Sequence, residues 1–98
     1  MVKEVIWPLK TQNQLAQIVK YISLDSYQNA EKVKNEILAS TRKLAINEAM
    51  HPLDKFKKDN DGSFRAYELY HYRIADRVTE KKIIIVRIRH SSMVPKTY

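Results

Sequence analysis

Two amphipathic stripes, set only a few residues apart, constrain this chain more than any other feature. Leu15, Ile18, Val19 and Ile22 recur at i, i+3, i+4 and i+7, so they share one helical face. Ala30, Val33, Ile37, Thr41 and Leu44 form a second stripe, with Leu38 and Ala45 beside it and Glu31, Lys32, Lys34, Asn35 and Glu36 on the polar surface. Thr11 with Gln14 three residues later has the form of a capping box, which places the first helix at about 11–24. Asp25-Ser26 interrupts the pattern and can cap a second helix. Neither Pro nor Gly occurs from Ser26 to Met50, so that helix is expected to reach about Asn47. So short a break makes the helices antiparallel neighbours. Each has one apolar stripe, and both stripes must be covered by another layer.

The rest of the chain supplies that layer. Val2–Trp7 ends in Val5-Ile6-Trp7, and Pro8 stops a strand interior, giving a first strand. His51-Pro52 closes the helical region. Residues 53–62 are polar and finish in Asp59-Asn60-Asp61-Gly62, a strong turn signal. Three strands follow, at Ser63–Leu69, Tyr72–Thr79 and Lys82–His90, with connections short enough for an antiparallel meander. Ser91–Tyr98 is a polar tail containing Pro95.

The expected fold is therefore α+β, in the order β-α-α-β-β-β. A helical hairpin packs on one face of a small antiparallel sheet, in a single domain over residues 1–98. Alternation sends Ile84, Val86 and Ile88 toward the helices with Tyr72, Ile74 and Val78. It sends Arg65, Arg73, Arg77, Arg87 and Arg89 to the opposite face, an assignment that one bulge would partly reverse. Asp76 falls in the apolar parity, where it marks a bulge, a strand edge or a specific polar contact.

Composition narrows the chemistry. No Cys occurs, which excludes disulfides, thiolate zinc sites and a cysteine nucleophile. Gly62 is the only glycine, which excludes glycine-rich phosphate loops. His51 and His71 lack the spacing of metal ligands, so no metal or cofactor is expected. The longest apolar run, Ile83–Val86, is far short of a membrane span, and the N-terminus has no apolar signal core, so a soluble intracellular protein is expected. Eighteen Lys and Arg oppose eleven Asp and Glu, a net of +7. Residues 55–98 hold eleven basic and five acidic side chains, so +6 of that excess lies in the second half. Such asymmetry suits a polyanionic or acidic partner.

The sequence resembles toxins of the RelE/ParE superfamily of bacterial type II toxin–antitoxin systems, and is closer to the ParE-like members. The resemblance is carried by Val5-Ile6-Trp7 and by the first helix with Leu15, Ile18 and Tyr21-Ile22. It continues in Ser26 with Asn29-Ala30-Glu31-Lys32-Val33, then Asn60, Gly62-Ser63-Phe64-Arg65 and Tyr72-Arg73-Ile74. It ends in Ile83–Ile85, Arg87, Arg89-His90 and Pro95-Lys96-Thr97-Tyr98.

The resemblance implies a cytoplasmic bacterial toxin neutralised by a cognate acidic antitoxin in a hetero-oligomer, with no membrane partner. The antitoxin would dock in grooves between hairpin and sheet, or along a free sheet edge. ParE-like members block DNA gyrase by binding, which requires no catalytic residue. Arg87, Arg89, His90 and the tail would then form the main contact surface, with Lys55, Lys57, Lys58, Arg65, Arg73 and Arg77 as further partner-binding candidates. The alternative is a RelE-like, ribosome-dependent endoribonuclease acting on mRNA. Such chemistry needs a base, a cation at the phosphorane and an acid. Arg65, Arg87, Arg89, His90 and Tyr98 are its candidates. The segment Ser91-Ser92-Met93-Val94 lacks the further basic residue that RelE-like nucleases carry there. Structural roles stand beside these functional ones: Arg65 suits an ion pair with Glu68 or Asp76, and His90 a local hydrogen bond.

Overall fold

A computed structural model describes residues 2–93 and 96–98; Val94 and Pro95, part of the tail in the sequence reading, lie outside the described residues. The order of elements is β1 (Glu4–Ile6), α1 (Leu9–Ser23), α2 (Tyr27–Leu44), β2 (Phe64–Leu69), β3 (Tyr72–Val78) and β4 (Lys82–His90). This is the expected β-α-α-β-β-β arrangement.

Helix α1 begins two residues before Thr11. Pro8 occupies the capping position with φ −56° and ψ 157° and makes no side-chain cap. Its carbonyl accepts from Gln12 N–H at 3.0 Å and from Thr11 Oγ1 at 2.9 Å. Thr11 therefore sits buried inside the first turn and ties back to it. Ser26 caps α2 as expected: its backbone is extended, and Oγ accepts from Asn29 N–H at 3.1 Å. The stripe Ala30, Val33, Ile37, Thr41 and Leu44 is buried along its whole length.

The sheet order is β1-β4-β3-β2. β4, β3 and β2 are antiparallel neighbours, as a meander requires. β1 departs from the expected all-antiparallel sheet: it pairs parallel with β4, Glu4 opposite Lys82 and Ile6 opposite Ile84, so the sheet is mixed. The core lies between hairpin and sheet, where Leu15, Val33, Ile37 and Leu44 meet Tyr72, Ile74, Ile83, Ile85 and Ile88.

One bulge resets the faces. Ala75 opposes Arg87 but Asp76 opposes Ile85, which leaves Val86 without a partner. Ile83 and Ile85 point into the core before the bulge and Ile88 after it. Ile84 and Val86, expected in the core, are only half-buried. The β2–β3 connection is a two-residue turn in which both Tyr70 and His71 have positive φ, 52° and 66°. That backbone matches strand twist but suits Asn-Gly better than two bulky residues.

Candidate functional site

The arginines divide between the two sheet faces. Direct cross-strand partners share a face. Arg65 pairs with Asp76, and Tyr67 with Ile74, so Arg65 lies on the helix side. This corrects the expectation that it projects from the opposite face. Its guanidinium donates to the His51 carbonyl at 2.6 Å. It makes no salt bridge with Glu68 or Asp76 among the described residues. The His51 ring stacks on Tyr67 at 4.0 Å, and Tyr67 Oη hydrogen-bonds Ser40 Oγ on α2 at 2.8 Å. Burial pushes the Tyr67 phenol up to about 12 and lowers the His51 imidazole.

Arg73, Arg77, Arg87 and Arg89 do lie on the second face, as their pairings with Glu68, Phe64, Ala75 and Arg73 require. That face is not bare. Leu53 pairs with Arg65 along the free edge of β2, and from there Phe56 and Tyr98 fold over the face, onto Arg73 and Arg87. Tyr98 N–H donates to the Phe56 carbonyl at 3.0 Å.

Asp54 joins these pieces. Its side chain is fully buried and accepts from Arg73 Nη2 at 2.9 Å, Tyr98 Oη at 2.6 Å and Phe56 N–H at 3.0 Å. Burial alone would raise its carboxyl. The bonds from Tyr98, Phe56 and Arg73, with the Arg73 charge, outweigh burial and hold it below its ordinary value. The Tyr98 phenol is pushed well up, first by burial and then by the Asp54 carboxylate.

Cations stack on rings around this centre. Arg87 lies 4.0 Å from the Tyr98 ring centroid and Arg73 4.7 Å from that of Phe56. Arg77 lies 5.1 Å from the Phe64 centroid. Lys57 sits between Phe64 and Tyr98, at 4.8 and 5.4 Å, and donates to the Tyr98 carbonyl at 3.2 Å. Desolvation lowers Arg87 from its ordinary value, with Arg89 and Arg73 adding like-charge repulsion. Lys55 lies at the rim and Lys58 is exposed.

At the end of β4, His90 Nδ1 accepts from Ser92 N–H at 3.1 Å and lies 2.6 Å from Ser92 Oγ. Its proton is therefore assigned to Nε2 by the hydrogen-bond network. This is the local hydrogen bond weighed for His90 in the sequence. Two open grooves flank α1. One, of about 570 Å³, runs between α1 and β4 past Ile18, Tyr21, Tyr72 and His90. The other, of about 490 Å³, lies on the hairpin and is lined by Trp7, Leu15, Val19 and Leu38 among others.

The model of the family described as "ParE toxin of type II toxin-antitoxin system, parDE" matches residues 5–95. The chain belongs to the ParE toxin family. Among solved structures it is similar to the chromosomal ParDE toxin–antitoxin system from P. aeruginosa. The TM-score is 0.69 at 21% identity, covering 91% of this chain and 96% of that one. That likeness is one of fold. No curated protein sequence matches the chain significantly.

In this ParE toxin the five nuclease candidates do not all converge. Arg87, Arg89 and His90 line one cavity and Tyr98 stacks on Arg87, but Arg65 lies across the sheet on the helix side. The residue that sequence reasoning missed is Asp54. Its one local signal is an Asx turn onto Phe56 N–H, two residues on, in a segment that otherwise reads as a solvated basic loop.

Proposed function

We propose that this ParE toxin inhibits DNA gyrase by binding it, and that a cognate acidic antitoxin neutralises the toxin in a hetero-oligomer. The reading rests on membership of the ParE family over residues 5–95. The separation of Arg65 from Tyr98 supports it against the nuclease alternative. A phosphorane-stabilising arginine and a proton-transfer group must meet at one phosphate. Arg65 is instead committed to a backbone carbonyl, and the Tyr98 hydroxyl to Asp54. A binding-only inhibitor needs neither group free.

The surface proposed for the target is the open end of the second face, where Arg87, Arg89 and His90 meet Arg73 and Lys55. The proposed antitoxin surface is the pair of grooves beside α1. Their apolar linings suit an amphipathic segment that folds on binding, and their lysines and Arg89 suit its acidic flanks. Among the described residues no helix is long and apolar enough to cross a membrane.

The direct test is a supercoiling assay with purified gyrase, the full-length toxin and the neighbouring antitoxin. Loss of supercoiling with accumulation of cleaved plasmid, reversed by the antitoxin and weakened by Arg87→Gln, is expected. Unimpaired supercoiling at excess toxin would refute the gyrase reading.

A further inference from the structure

The second sheet face holds a cavity of about 230 Å³, and its charge is out of balance. Its charged lining is Lys55, Arg73, Arg87, Arg89 and Lys96 against Glu68 alone. The Asp54 carboxylate behind the cavity is already taken by Arg73 and Tyr98. Arg73 and Arg89 stand directly opposite each other across β3 and β4, and Asp54 pairs only with Arg73, so Arg89 has no salt-bridge partner among the described residues.

Two of the three guanidiniums on this cavity are held in place. Arg73 is fixed by Asp54 and the Phe56 ring. Arg87 is fixed by the Tyr98 ring and by donation to the Lys96 carbonyl at 2.6 Å. Two fixed guanidiniums and a third cation lining one small cavity form a largely preorganised cradle for an oxyanion.

We propose that this cavity is a phosphate-binding site that takes a backbone phosphate of a single nucleic-acid strand, with Arg73, Arg87 and Arg89 as the cradle and Lys55 and Lys96 at the rim. Size and surroundings favour that ligand. The cavity is smaller than the ~300–1,000 Å³ that encloses a whole small molecule, so it takes one anionic group of something larger. The α1–β4 groove adjoins it, shares Arg89, His90 and Met93, and adds Ile18 and the exposed ring of Tyr21. A charge cradle continuous with an aromatic groove is the arrangement that holds phosphate and base of a single strand together. The site goes beyond the proposed function, because binding gyrase requires no nucleic-acid contact by the toxin itself.

The test titrates isotopically labelled full-length toxin with three probes. They are inorganic phosphate, an oligothymidylate of roughly eight nucleotides, and sodium acetate at matched ionic strength. The readouts are arginine Nε–H resonances and calorimetric affinity. Phosphate is expected to shift Arg73, Arg87 and Arg89 saturably, and the oligonucleotide to bind more tightly than phosphate. Arg89→Gln should weaken oligonucleotide binding about tenfold and flatten its log K against log salt slope by about 0.7. Lys32→Gln, the same charge change on the exposed side of α2, should leave both unchanged. Because Arg89→Gln relieves repulsion with Arg73, its denaturation midpoint should not fall, which separates lost binding from lost fold. Equal affinity for phosphate and oligonucleotide overturns the nucleic-acid assignment. A response that acetate reproduces, or that Arg89→Gln leaves intact, overturns the site.

Discussion

Asp76 is the most informative single residue for stability. It is 0% exposed, and neither carboxylate oxygen has a hydrogen-bond partner among the described residues. Arg65 is its cross-strand partner, but that guanidinium is spent on the His51 carbonyl. Desolvation therefore dominates over the Arg65 charge, with Asp54 adding repulsion, and the carboxyl rises from 3.8 to about 7. An acid with a raised folded value binds its proton in the fold and releases it on unfolding. The contribution of Asp76 to stability is then most favourable below about pH 4, falls as pH climbs toward 7, and levels off above it. At ~1.36 kcal/mol per unit, the full loss above pH 7 is about 4 kcal/mol, of which about 2 is already incurred near pH 5.

Asp76→Asn keeps the shape and removes the charge. Urea denaturation of both proteins near pH 5 and near pH 8.5 reads the effect. The variant's stability relative to wild type should improve by roughly 2–3 kcal/mol from the lower pH to the higher. A difference that stays constant with pH would refute the reasoning, because it would mean that the folded carboxylate is as well solvated or paired as the unfolded one.

Other perturbations separate further parts of the account. Tyr98→Phe retains the ring under Arg87 but removes the donor to Asp54, so denaturant titration should show a loss of about 1–3 kcal/mol. If the bulge has turned the β4 pattern, Ile85→Ala should cost about 2–5 kcal/mol, and Ile84→Ala clearly less, by the same measurement. Equal costs would contradict the register. Replacing Tyr70-His71 by Asn-Gly should raise stability by roughly 1 kcal/mol in thermal unfolding, since both positions have positive φ. Ser26→Ala should lower it by about 1 kcal/mol through the lost α2 cap.

The helices were legible because their signals are local. The α2 stripe and the Ser26 cap each lie within one element, and the structure places both as read. Strand positions were legible for the same reason. Strand pairing was not: β1 lies beside β4, more than seventy residues away, and no local pattern specifies its parallel direction. The bulge at Val86 was hidden because Ile83–Val86 is β-branched throughout, so either parity looks apolar.

Arg65 was misplaced for a related reason. Both faces of β2 are covered, Tyr67 and Leu69 by the core and Phe64 by Tyr98 and Lys57, so alternation carries no preference there. Asp54 was invisible because its burial is created by Tyr98 and Arg73, 44 and 19 positions away. The basic candidates stand out as a set in the sequence, and their division between the two sheet faces is visible only in three dimensions.

We propose that this ParE toxin acts by binding a topoisomerase. This is tested most directly by inducing the chain in a bacterial host and reading plasmid topology and mRNA ends from the same culture. The account predicts relaxed or broken DNA with intact mRNA. Fresh codon-positioned cuts in mRNA, with supercoiling unchanged, would contradict it.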